Sequence, residues 1–100
     1  MICTLTARRL KPGTFDDFRS AWMPDESQQE ASSKWNPVYV CRDLSDENVI
    51  VAFGMFQGTE EELRAAQEEY GYDDAVKSVE QYIDEVLLDG AYEVIEEIRS

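Results

Sequence analysis

The sequence predicts an α+β fold, a single antiparallel sheet with helices on one face. Three observations carry this. Side chains alternate in character near both ends of the chain, over residues 2–9 and 91–98, which is the period of a strand. Val49 to Phe56 is a nearly continuous apolar run rich in β-branched residues, the mark of a central strand. Between these segments, apolar residues recur at helical spacing from Phe15 and again from Leu63.

Each element has its own grounds. In the first strand Cys3, Leu5 and Ala7 face one way, while Ile2, Thr4, Thr6 and Arg8 form a more polar face. Lys11-Pro12-Gly13-Thr14 breaks the strand. Thr14 is placed to cap a helix whose first turn holds Asp16 and Asp17, on the favourable side of the dipole. Phe15, Phe18 and Trp22 form the buried stripe of that helix, and Pro24 ends it. Residues 23–34 are a polar connection, long for a compact domain. It reads as a lid, a disordered loop or a short helix over Glu26–Ser32. Trp35-Asn36-Pro37 leads into a second strand, Val38 to Arg42, with Pro37 at its start or on an edge. Asp43 to Asn48 is a turn. Gly54, inside the third strand, signals a bulge or a close approach by another group.

Thr59 and Glu62 have the spacing of a capping box and open a second helix. Leu63, Ala66 and Tyr70 keep its period, Gly71 interrupts it, and Asp73 or Asp74 can cap a restart. Val76, Val79, Ile83, Val86 and Leu87 continue at helical spacing until Asp89-Gly90. Ala91 to Ile98 then alternates as a last strand, its glutamates guarding an exposed edge.

The order strand, helix, strand, strand, helix, strand is the ferredoxin-like βαββαβ arrangement, a single domain over residues 1–100. Its helices cover one sheet face. The central strand is apolar on both sides, so the other face needs a cover, and a second copy of the chain is the economical one. The expected state is therefore a homodimer. In this sheet order the first strand does not neighbour the second, so Cys3 and Cys41 are expected to be free thiols.

Composition narrows function. There are 22 acidic and 9 basic side chains and no histidine, for a net charge of −13. Residues 51–100 hold 14 of the acidic groups and 3 of the basic ones. A field of that sign repels phosphate backbones and anionic lipid surfaces, so neither nucleic acid nor membrane is an expected partner. No stretch approaches the ~18 apolar residues of a membrane span. Positive charge follows the first apolar residues rather than preceding them, unlike a signal peptide, so a cytoplasmic location is expected. Without histidine there is no Ser-His-Asp arrangement and no His-ligated haem or zinc. There is no Gly-rich phosphate loop, so no cofactor is expected.

The run Arg8-Arg9-Leu10-Lys11-Pro12-Gly13-Thr14-Phe15-Asp16-Asp17-Phe18, with Trp22 beyond it, resembles the opening of antibiotic-biosynthesis-monooxygenase-like proteins. Phe53-Gly54-Met55-Phe56 followed by Gly58-Thr59-Glu60-Glu61 is similar to that group's third strand and second helix start, and Gly90-Ala91-Tyr92-Glu93-Val94 to its close. The resemblance implies a dimeric α/β barrel, two subunits packed sheet against sheet, each with a pocket between its sheet and helices. Some members oxygenate polycyclic phenols without metal or flavin, through the substrate's own carbanion. Others degrade haem through a histidine that this chain lacks.

Two functions stand beside each other on this reading. One is a cofactor-independent monooxygenase acting on a small aromatic, polyketide-like molecule. The other is a homodimer that holds a small lipophilic ligand unchanged, or serves as a structural or regulatory partner domain. The residues suited to orienting a planar ligand are Trp35, Asn36 and Tyr39 at the second strand, Trp22 on the first helix and Tyr82 on the second. Arg8 would stabilise an anion if it faces inward. Each of these is equally at home in a core or on a surface.

Overall fold

The computed structural model describes residues 1–22 and 35–99. The expected lid or helix within residues 23–34 lies outside the described residues. In chain order the elements are β1 (Ile2–Leu10), α1 (Phe15–Trp22), β2 (Trp35–Arg42), β3 (Val49–Phe56), α2 (Glu60–Tyr70), α3 (Tyr72–Val79), a 3₁₀ turn (Glu80–Tyr82) and β4 (Ile83–Glu93). The strands form one antiparallel sheet in the order β2-β3-β1-β4, which is the ferredoxin-like order.

Alternation along β1 decides what the helices cover. Ile2 and Leu10, at its two ends, join different buried clusters. Ile2 packs with Phe56 of β3 and with Leu63 and Ala66 of α2. Leu10 packs with Ile50 of β3, Phe18 of α1 and Val79 of α3. Helix residues and sheet residues meet in both clusters, so the face carrying Ile2, Thr4, Thr6, Arg8 and Leu10 is the one beneath the helices. Its middle is polar, and there the two clusters part. On the opposite face lie Cys3, Leu5 and Ala7 with their cross-strand partners Met55, Phe53 and Val51 of β3.

Local chemistry sets the helix ends. The Thr59 hydroxyl accepts from the Glu62 N–H, and the Glu62 carboxylate accepts from the Thr59 N–H, which closes the expected capping box. Gly71 ends α2 in the left-handed region at φ +80°, its N–H reaching the Gln67 and Glu68 carbonyls. The chain restarts as α3 directly from Gly71, without a side-chain cap from Asp73 or Asp74. The Thr14 hydroxyl donates to the Lys11 carbonyl while its own carbonyl accepts the first bond of α1, from Phe18 N–H.

The last third differs from the sequence reading. Helix ends at Val79, and Ile83 to Glu93 is strand where a helix was expected as far as Asp89-Gly90. Beyond Glu93 one bond, from Val94 N–H to the Met1 carbonyl, continues the pairing, and residues 94–98 form no strand. The reason is the pairing of β4 along all of β1, with register shifts at Ala7/Arg8 and Arg9/Leu10. Each irregularity inserts a residue and breaks the period of two, so Ile83, Val86 and Leu87 keep a spacing that imitates a helix.

Pro37 does lie on an edge strand, at the register shift between Trp35 and Val38. Gly54 meets a close approach. A Cβ there would sit 3.0 Å from Val38 Cγ2 and 3.4 Å from Trp35 Cβ. Cys3 and Cys41 are both free, with β3 between their strands.

Candidate functional site

Between the two core clusters the space is open. A cavity of about 250 Å³ lies over the middle of the sheet. Thr4 and Thr6 of β1, with Ala52 and Gly54 of β3, form its floor. Trp22 of α1 and Trp35 and Val38 of β2 supply apolar walls. The roof comes from Arg64, Gln67 and Tyr70 of α2 and Tyr72 of α3, and Asp89 to Ala91 of β4 close the remaining side. The absence of a side chain at Gly54 keeps the floor low where β2 crowds in.

One end of this cavity is charged. Arg8 is 3% exposed and sits on the helix-facing side of β1. Its guanidinium carbon lies 5.1 Å from the centre of the Trp22 ring, within cation–π range, and one terminal nitrogen is 3.4 Å from Asp89 Oδ2. The Arg8 Nε has no hydrogen-bond partner among the described residues. A buried cation whose carboxylate contact is long and whose Nε is unpartnered among these residues is incompletely compensated. Asp89 in turn accepts from the Tyr72 hydroxyl at 2.9 and 3.0 Å to its two oxygens. Tyr72 packs edge-on against Trp22, at 6.2 Å between ring centres.

Burial, and next the Asp89 carboxylate, pushes the Tyr72 phenol above its ordinary range, with Arg8 opposing. Burial raises Tyr70 as well. At neutral pH Tyr72 is therefore a proton donor to Asp89 whose oxygen can still accept a hydrogen bond.

The six residues singled out in the sequence have different fates. Trp22 and Trp35 line the cavity, the latter also packed on Phe56 at 5.1 Å. Arg8 faces inward, beneath the lining, in contact with Trp22 and Asp89. Tyr39 pairs with Phe53, one residue off the register that places Val38 opposite Gly54, so it lies on the other sheet face. There it is 54% exposed and packs on the Phe53 ring. Tyr82 belongs to the 3₁₀ turn and packs against the cluster of Leu10, Phe18, Ile50 and Val79, while its carbonyl accepts from Lys11 N–H. Asn36 falls within β2, and its side chain lies outside the described residues.

Sequence reasoning passed over Tyr72 and Asp89. Asp89 reads as the end of a helix and Tyr72 follows the Gly71 interruption without a role, and only a strand at Ile83–Glu93 brings Asp89 opposite Thr6. The available signal was the polar face of β1: two threonines and an arginine pointing toward the helices mark a lined space rather than a packed one. Among the described residues no group of three or more acidic, Cys or His side chains is placed to hold a metal. No helix of the described residues is long and apolar enough to cross a membrane.

No protein-family model matches the sequence, and no curated protein is similar to it. Solved structures do match. A protein from Deinococcus radiodurans superposes with a TM-score of 0.76 at 14% identity, over 100% of this chain and 98% of its own. One from Chloroflexus aurantiacus gives 0.69 at 13%, covering 98% and 96%. One from Nitrosomonas europaea gives 0.68 at 15%, covering 96% and 100%. All three are provisionally named antibiotic biosynthesis monooxygenases. At such identities it is the architecture that is shared: the chain has the ferredoxin-like α+β fold of these antibiotic-biosynthesis-monooxygenase-like structures.

Proposed function

We propose that each subunit of a homodimer holds one small planar hydroxyaromatic molecule in the cavity and oxygenates it without a bound cofactor. The observation that carries this reading is the Arg8–Asp89–Tyr72 cluster at one end of an aromatic-walled space. The volume is just under the ~300–1,000 Å³ of drug-sized sites, which favours a compact ligand. Trp22 and Trp35 offer ring faces on which a planar molecule stacks.

A phenol placed against Tyr72 donates its O–H to the Tyr72 oxygen. Tyr72 passes its own proton to Asp89 and is left unchanged. Negative charge thereby moves from Asp89 to the ligand, while Arg8 remains its counterion. The phenolate's ring carbon then supplies the electron pair for a new C–O bond to dioxygen, and the peroxide takes back the proton held by Asp89. Loss of the ring C–H proton and cleavage of the O–O bond release water and leave a quinone. The balance is phenol plus dioxygen to quinone plus water.

Support for the dimer comes from the uncovered sheet face. Tyr39, Leu88 and Tyr92 are 54%, 41% and 45% exposed. By the pairing of the strands they share a face with Leu5, Val51, Phe53 and Met55. An apolar surface of this kind marks an association site.

The alternative is binding without conversion, and it is favoured by the fact that Asp89 is already engaged by two donors. Naphthol separates the two. Quenching of tryptophan fluorescence reports binding, and an oxygen electrode reports turnover. Oxygenation predicts uptake with quinone formation, and strong loss in Asp89→Asn. Quenching without uptake leaves only the binding reading, and no quenching at all removes both.

A further inference from the structure

We infer that the ligand carries a carboxylate as well as a hydroxyl, and that Arg64 recognises it; this rests on the cavity being the ligand site. A second cavity, of about 360 Å³, opens beside the first at the start of α2, and Arg64 and Ala91 line both. Arg64 therefore stands on the seam between them. Among the described residues lining either cavity, it has the only cationic side chain. That matters because the chain's net charge of −13 repels anions in general, so an acidic ligand requires a local positive group.

The partners of Arg64 leave it available. One terminal nitrogen donates to Gln67 Oε1 at 2.9 Å, a neutral acceptor. The other is 3.9 Å from Glu60 Oε1, a carboxylate 80% exposed. Surface pairs of that kind are easily exchanged. The guanidinium has five N–H donors in a planar fork, and the Gln67 amide keeps both of its own. A carboxylate arriving from the first cavity thus meets a fork and an amide side by side, a geometry suited to its two coplanar oxygens. Beyond the seam, Glu60 and Glu93 line the second cavity and repel the anion, so it stops at Arg64.

The spacing is consistent with one molecule reaching both ends. Arg64 and Tyr70, both on the roof, are six residues apart on α2, or about 9 Å along the axis, and Tyr72 lies beyond. A bicyclic hydroxy acid spans that distance, with its hydroxyl at Tyr72–Asp89 and its carboxylate at Arg64.

The test compares hydroxynaphthoate with naphthol in the purified full chain. The expected result is at least about tenfold tighter binding of the acid, with the advantage lost in Arg64→Gln and partly restored in Arg64→Lys. Circular dichroism confirms that each variant is folded, which an exposed helix position permits. Naphthol and hydroxynaphthoate binding equally well in the wild type would overturn the inference while leaving the cavity assignment intact. So would an advantage that survives Arg64→Gln. Failure of both molecules to bind overturns the cavity assignment and the inference together.

Discussion

Tyr72→Phe deletes one hydroxyl and leaves its ring against Trp22. The bond lost runs to a carboxylate that is 37% exposed and can regain water, so the expected cost in urea unfolding is only about 1 kcal/mol. A relay through that hydroxyl predicts a much larger effect on oxygen uptake, at least about tenfold in kcat. Equal, small losses in stability and turnover would make Tyr72 a packing residue. Its titration gives a second check. The folded-state pKa lies above the unfolded value, so the neutral phenol's contribution is complete below pH 10.0 and disappears as pH rises through the folded pKa. Thermal stability should therefore fall in strongly alkaline buffer, and fall less steeply in Tyr72→Phe, with Tyr70 supplying the remaining dependence. An identical alkaline profile in the variant would contradict the assignment.

Helix boundaries are the most directly testable elements. Gly71 joins α2 to α3 at φ +80°, where any side chain is strained. Gly71→Ala should cost roughly 1 kcal/mol or somewhat more in urea unfolding, because the αL conformation has to be kept while α2 and α3 stay docked. Thr59→Ala removes one half of the capping box and is expected to cost ~1 kcal/mol. The two sites lie at opposite ends of α2, so the double variant should be close to additive. Since α2 is the cavity's roof, loosening its first turn ought also to weaken naphthol binding, and a stability loss with no change in affinity would separate roof from ligand.

The chain as a whole is a slab 18 Å through its shortest dimension, one sheet and one layer of helices. A second copy on the open face would bury Val51 at the middle of the sheet. Sedimentation equilibrium at micromolar concentration should return twice the 11.5 kDa chain mass. Val51→Glu places a carboxylate on that face and should shift the protein to monomer while leaving α1 to α3 unaffected. Only monomer in the wild type would remove the dimer and with it the explanation of the exposed Leu88 and Tyr92. The cysteines offer an independent check on topology. Neighbouring strands lie ~4.8 Å apart, so β1 and β2 are about twice that distance from each other, beyond the reach of a disulfide. Two titratable thiols per unreduced, denatured chain are expected, and none would contradict the sheet order.

Much of this architecture could be read from residues near one another in the chain. The capping box at Thr59–Glu62, the stop at Gly71, the breaker at Pro12-Gly13 and the apolar run of β3 each rest on local backbone chemistry, which the sequence states directly. The site was only half legible. Trp22 and Trp35 could be suspected as aromatic residues on a helix and a strand, and Arg8 from the alternation of β1, but none of these signals says which sheet face the helices cover. The helices came to lie on the polar face of β1, around Thr4 and Thr6, and Tyr39 fell on the opposite face from its neighbour Val38 because strand side chains alternate. Asp89 and Tyr72 could not be found locally at all. Their meeting with Arg8 depends on β4 pairing along β1 through two register shifts, a contact 81 residues apart in the chain. Local preference favoured helix there, and the unpaired edge of β1, with its row of backbone donors and acceptors, decided for strand.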